Sequence, residues 1–109
     1  MVRFYESSGF VVLDRNWRCP DGELDLVVAD GTGKLLVFCE VKTRTSPSFG
    51  SPGEAVTPAK ARRLRRLAGR WMAEARPLGC SPSTLRVDVA AVRPGPGGKA
   101  VVELIENAC

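Results

Sequence analysis

The stretch GELDLVVADGTGKLLVFCEVKT, running from Gly22 to Thr43, decides the fold. Glu23 to Ala29 reads as one strand and Leu35 to Lys42 as the next, both rich in β-forming residues. Between them, Asp30-Gly31-Thr32-Gly33-Lys34 has the composition of a hairpin turn. The run Leu35 to Cys39 is apolar at every position, so both faces of that strand are covered and it lies centrally in its sheet. If the loop is Gly31 to Lys34, Asp30 pairs with Leu35. The same register then sets Asp25 opposite Glu40 and Glu23 opposite Lys42. A loop one residue shorter or longer would reverse the parity and undo that arrangement.

Outward from the hairpin, residues 2–8 read as a short helix or its last turns, closed by Gly9 as a C-terminal cap. Phe10 to Trp17 reads as a strand, and Pro20 with Asp21-Gly22 as the turn that follows it. Residues 43–56 form a polar loop of a length that often serves function. Thr57 caps a helix with Pro58 at its first position. Leu64, Leu67, Ala68, Trp71, Met72 and Ala75 recur at helical spacing and give that helix one apolar stripe. Pro77 and Gly79 stop it. Leu85 to Val92 and Ala100 to Ile105 are two further strands, joined by a Pro- and Gly-rich turn from Arg93 to Lys99. The order is α-β-β-β-α-β-β in one domain, residues 1–109. A three-strand meander, a crossover helix and two strands would pack as an α/β sheet with helices on its faces.

Composition removes several functional classes. With no histidine, a Ser-His-Asp or Cys-His enzyme is excluded. Cys19, Cys39, Cys80 and Cys109 are scattered without the short spacings of a zinc site. No apolar run approaches the roughly 20 residues that span a bilayer, and the N-terminus lacks a secretory apolar region, so the expected location is cytoplasmic and membrane partners are not expected. Cysteines there stay reduced, and Cys39, inside an apolar strand, reads as a buried hydrophobe. Any catalysis must therefore run on carboxylates, lysine or a hard metal ion. The net charge is +4, and it is unevenly spread. Between residues 58 and 76, Lys60, Arg62, Arg63, Arg65, Arg66, Arg70 and Arg76 face only Glu74. Such a segment suits a polyanion, nucleic acid before membrane, or else a solvated helix face.

Glu23, Asp25, Glu40 and Lys42 carry the chemistry. In the register above, all four meet at one end of one sheet face. Opposed carboxylates repel across a sheet, and a divalent cation would relieve the repulsion. Oxygen-only ligands favour Mg²⁺ or Mn²⁺, which polarise a phosphoryl oxygen and activate water. Lys42 could orient that water or stabilise developing charge. The bland alternative is a set of salt bridges, Glu23 with Lys42 and Asp25 with Arg44.

Arg15-Asn16-Trp17-Arg18, Gly22-Glu23-Leu24-Asp25-Leu26, Val37-Phe38-Cys39-Glu40-Val41-Lys42-Thr43-Arg44 and Phe49-Gly50 occur in that order. Lys60 with Arg63-Leu64, Arg86 with Asp88, and Asn107-Ala108 follow. This combination resembles the YraN family of uncharacterised, endonuclease-like proteins over nearly the whole chain. That family is similar to Holliday-junction resolvases and restriction endonucleases of the PD-(D/E)xK type. The resemblance implies a restriction-endonuclease-like α-β-β-β-α-β core and a metal-dependent nuclease acting on DNA more than RNA, with branched DNA among the substrates. It also implies Asp25 and Glu40 as Mg²⁺ or Mn²⁺ ligands, and Asp25, Glu40 and Lys42 as the catalytic set; Glu23 is a candidate accessory acid from its place in the same cluster. Pro20-Asp21 is a decoy for the motif, because it sits in the turn before the strand. The family pattern also has a longer first helix with a glutamate near its start. Here the chain enters near that helix's end, so a truncated first helix is expected, with apolar sheet surface left open to a homodimer.

Of the remaining residues, Arg44, Lys60, Arg62, Arg66 and Arg70 are the candidates for binding nucleic-acid phosphates. Lys60 is odd, a cation toward the apolar side of the first helical turn, where the macrodipole disfavours it. A nearby phosphate, or a side chain snorkelling to water, would explain it. Arg86 and Asp88 share a strand face and read as a structural pair, while Trp17 and Trp71 read as core. Two other classes of function stay open: a nucleic-acid-binding module that keeps a nuclease fold without cutting, and a structural or adaptor domain whose charges are surface pairs.

Overall fold

The computed structural model describes residues 1–43 and 57–106. It is an α/β fold on one five-stranded mixed sheet. In chain order the elements are α1 (Val2–Ser7), β1 (Val11–Cys19), β2 (Gly22–Ala29), β3 (Leu35–Thr43), α2 (Pro58–Glu74), β4 (Thr84–Pro94) and β5 (Ala100–Ile105). A 3₁₀ turn at Pro96–Gly98 stands between β4 and β5, where the sequence suggests only an irregular turn. The strands lie side by side in chain order, with β3 and β4 parallel and the other pairs antiparallel.

The hairpin register is the one the sequence predicts. Leu26 pairs with Cys39, Val27 with Phe38, Val28 with Val37 and Ala29 with Leu36. The Asp30 N–H donates to the Leu35 carbonyl at 3.0 Å. Asp30 Oδ1 accepts from the Thr32 hydroxyl and the Leu35 N–H, which fixes the turn, and Gly33 supplies the positive φ of +74° that closes it.

Each helix covers one sheet face. α2 starts where Thr57 Oγ1 accepts from the Lys60 N–H at 3.1 Å, with Pro58 in the first turn. Its apolar stripe, Leu64, Leu67, Ala68 and Trp71, packs on Leu24, Val27, Leu36, Phe38, Val87 and Val89. Trp71 is fully buried, meets Phe38 edge-on, and donates from Nε1 to Asp14 Oδ2 at 2.9 Å. On the other face, α1 is too short to be stable alone. It is held by Tyr5, which packs among Leu26, Val28, Val37, Cys39 and Ala90. Gly9, at φ +89°, ends it as a left-handed cap.

The Arg86–Asp88 pair reads as structural, and its geometry agrees. Arg86 reaches both carboxylate oxygens of the fully buried Asp88 at 2.9 Å. The Tyr5 hydroxyl donates to Asp88 Oδ2 at 2.8 Å, binding α1 to β4. No helix among the described residues is long and apolar enough to cross a membrane.

Candidate functional site

Side chains alternate along β3, and that alternation decides the site. Phe38 faces α2, Cys39 faces α1, and Glu40 turns back toward α2. Lys60 and Arg63 are three residues apart on α2 and so share one face of that helix. Both reach Glu40. Arg63 Nη2 donates to Glu40 Oε1 at 2.8 Å. Lys60 Nζ lies 3.0 Å from Oε2, close enough for an ion pair but without the angle of a directed hydrogen bond, so Oε2 is paired by charge alone. Arg63 Nε is buried with no acceptor among the described residues. Lys42, two residues on from Glu40, lies beside Lys60. That contact, with partial burial, holds the Lys42 ammonium below the ordinary lysine range, and the nearby Glu40 carboxylate opposes the shift. The cluster is one nearly buried carboxylate among three cations.

The other predicted acids lie elsewhere. The ladder between β2 and β3 stops at Leu26 and Cys39, one step before Asp25 would oppose Glu40. Asp25 instead uses its own carboxylate, Oδ2 accepting from the Val41 N–H at 2.8 Å. It lines a cavity of about 460 Å³ with Met1, Arg15, Asn16, Val41 and Thr43, on the face that Leu26 and Cys39 share. The cause is a local irregularity in β1 and β2. Trp17 and Leu24 pair and both pack toward α2, while Arg15 and Leu26 pair and sit on the opposite side. Between these pairs Asn16 takes a left-handed φ of +53°. The convergence of all four groups on one face is therefore corrected: Glu40 and Lys42 stay together, and Asp25 leaves them. Glu23 leaves them too. It pairs with Arg18, its cross-strand neighbour, at 3.4 Å and not with Lys42.

Asp25 and Glu40 as placed do not fit a shared divalent ion. Both Glu40 oxygens face cations of α2, and one Asp25 oxygen holds a backbone N–H. Among the described residues, no group of three or more Asp, Glu, Cys or His side chains is placed to hold a metal.

The basic helix divides in two. Arg62, Arg65 and Arg66 are exposed, and Arg66 stands one turn beyond Arg63. Arg70, grouped with them from the sequence, is occupied. It holds Glu74 at 2.7 Å and Asp21 at 3.1 Å, which keeps its guanidinium charged far above neutral pH. Asp21, the decoy of the turn, thus has a structural partner. Lys60 does not snorkel to water, because its side chain is mostly buried against Glu40. Arg63, quoted in the sequence beside Lys60 but not among the candidate site residues, carries the closest contact to Glu40. Its position three residues after Lys60 was the available signal. Arg44 and Phe49-Gly50 lie outside the described residues, as do Asn107, Ala108 and Cys109.

Sheet and cluster together define an α/β protein whose central strand ends in an acid-x-lysine pair under a basic helix. Comparison with known proteins places it more closely. The model of Uncharacterised protein family UPF0102 matches residues 1–92, and the chain belongs to that family, as the resemblance in its motifs implies. A UPF0102 protein of Beutenbergia cavernae is 55% identical over 93% of this chain and 81% of that protein. Others, from Frankia alni and Symbiobacterium thermophilum, are 51% and 49% identical over 97% and 98% of this chain and 84% and 86% of theirs. Among solved structures, Pyrococcus furiosus SfsA in complex with Ca²⁺ aligns with 93% of this chain and 56% of its own, at 9% identity and a TM-score of 0.33. At that level it carries no argument about fold or function.

Proposed function

We propose that the protein is a nuclease-like domain that engages DNA through α2 and brings the phosphate backbone to the Glu40–Lys42 end of β3. One observation carries this reading. The cluster of Lys42, Lys60 and Arg63 has more positive charge than Glu40 neutralises, and it continues into the exposed Arg62, Arg65 and Arg66. The α-β-β-β-α-β order supports a restriction-endonuclease-like core, and the preference for DNA over RNA follows the resemblance to nucleases.

Binding is the part the geometry supports best. Cutting is a second reading, favoured by the spacing of Glu40 and Lys42 on one face of β3. Hydrolysis with Mg²⁺ or Mn²⁺ would need a second carboxylate beside Glu40, and Asp25 does not stand there.

The test combines binding and cleavage on single-stranded, duplex, flapped and four-way-junction DNA. Binding should weaken steeply with salt, and replacing Arg62, Arg65 and Arg66 by alanine should lower the log–log salt slope by about 2–3. An unchanged slope would leave a structural or adaptor domain. Cleavage with Mn²⁺ or Mg²⁺ but not EDTA, lost in Glu40→Ala and Lys42→Ala, would establish the enzyme. Its absence alongside salt-sensitive binding would leave the non-catalytic module.

A further inference from the structure

We infer that Lys42, Lys60 and Arg63 form a metal-independent site for a terminal phosphate monoester, and that Glu40 is the positioning residue that fixes two of its three cations. This rests on the nucleic-acid reading and names the group the site would take: the phosphorylated end of a strand. Three observations converge. The first is charge. Three cations face one carboxylate, a surplus of two positive charges. A phosphate monoester carries about −1.5 to −2 at neutral pH, whereas a backbone diester carries one negative charge.

The second observation is placement. The side chains of Glu40 and Lys60 are only 11% and 16% exposed, and that of Arg63 is 41% exposed. Glu40 and Lys60 lie largely buried and the outer cation, Arg63, is open, so a group projecting from a strand end would approach from the Arg63 side. The third is unfinished bonding. The Lys60 amine has an ion pair with Glu40 and no directed bond to it, and Arg63 Nε has no acceptor among the described residues. A buried guanidinium N–H without an acceptor is costly, and a turn of the half-exposed guanidinium toward a phosphate would relieve it. Glu40, held in the floor of β3, anchors Lys60 by charge and Arg63 by a 2.8 Å bond. A lysine and an arginine so fixed lose less entropy when they take up an anion.

This role for Glu40 differs in sign from simple charge. Glu40→Gln removes a negative charge beside an anion site and would tighten binding if charge alone mattered. If Glu40 positions the cations, the same change weakens binding.

Pyrophosphate binding measured by calorimetry in EDTA decides it, together with competition by 5′-phosphorylated against 5′-hydroxyl oligonucleotides. Lys60→Met and Arg63→Met should each lose about tenfold in pyrophosphate affinity, and Glu40→Gln about threefold or more. Arg18→Ala, which removes one positive charge elsewhere, should leave it unchanged. The 5′-phosphorylated strand should displace pyrophosphate better than its 5′-hydroxyl counterpart. Affinity retained in Lys60→Met, tighter binding by Glu40→Gln, measurable displacement to the same extent by both strands, or binding that appears only when Mg²⁺ is added would overturn the proposal. Thermal melts check that each variant is folded, and if Glu40→Gln is not, Lys60→Met and Arg63→Met decide alone. Pyrophosphate binding with no nucleic-acid binding would overturn the DNA reading and keep this site. DNA binding indifferent to Lys60→Met would do the reverse.

Discussion

Replacing Tyr5 by phenylalanine tests the bond that ties α1 to the sheet. The Tyr5 ring is 1% exposed and its hydroxyl donates to the fully buried Asp88 at 2.8 Å. Phenylalanine keeps the ring and its edge-on contacts with Phe4 and Phe10, so what is removed is the hydroxyl, with its bond to Asp88 and its contact with the Cys39 thiol. A hydrogen bond to a charged group contributes about 1.5–3 kcal/mol. Asp88 would retain both bonds from Arg86 and would not be orphaned, which puts the loss at the lower end, about 1.5–2 kcal/mol. For a domain near 100 residues, each kcal/mol moves the midpoint by about 4–8 °C, so Tm should fall by roughly 6–16 °C. Far-UV circular dichroism and the fluorescence of the buried Trp71 should report the same transition. A loss under about 0.5 kcal/mol, the range of an ordinary surface substitution, would refute this account of the α1 anchor.

Three further outcomes follow from buried groups. Burial is the main cause that raises both the Tyr5 phenol and the Cys39 thiol, the latter from 9.0 up to about 12. The unfolded chain would release these protons first, so stability should fall as pH rises above about 9, and Cys39→Ala should flatten the decline between pH 9 and 12 in urea titrations. A thiol reagent at neutral pH should label Cys19 and Cys80 before Cys39, whose label should appear only at the rate of unfolding, as read by peptide mapping. Asp14→Ala leaves the buried Trp71 Nε1–H without its acceptor and should cost about 1–3 kcal/mol in urea unfolding, whereas Arg15→Ala, exposed on the same strand, should cost far less.

Sequence reasoning succeeds here where the physics is local. The turn residues from Asp30 to Lys34 specify the hairpin, and the hairpin specifies the register from Leu26–Cys39 to Ala29–Leu36. The Thr57-Pro58 cap and the leucine stripe specify α2 and the face it buries. The reasoning fails at Asp25 because alternation is assumed to run unbroken through β2. The break arises from the partner strand, at Asn16, where a left-handed residue lets Arg15 and Trp17 fall on opposite sides. Nothing in the neighbourhood of Asp25 alone announces this. The Lys60–Glu40 pair is hidden for a related reason. Lys60 is legible as a misplaced cation, but its partner sits on a strand far off in the chain, and their meeting depends on how α2 lies across the sheet. The Tyr5–Asp88 bond spans a longer interval still.

The side-by-side order of the strands also bears on how the molecule is assembled. Three of the four seams join strands that follow one another through a turn, and such hairpins close in about 1–10 μs. The seam from β3 to β4 is different. It is parallel, it runs from Leu35–Thr84 to Thr43–Val92, and it cannot form until the chain has passed out through α2 and back. The meander from β1 to β3 can therefore be complete as the chain leaves the ribosome, before β4 exists. The late step is the docking of the β4–β5 hairpin. That step buries Asp88 against Tyr5, lays Val87 and Val89 under α2, and joins two early-formed halves into one cooperative unit.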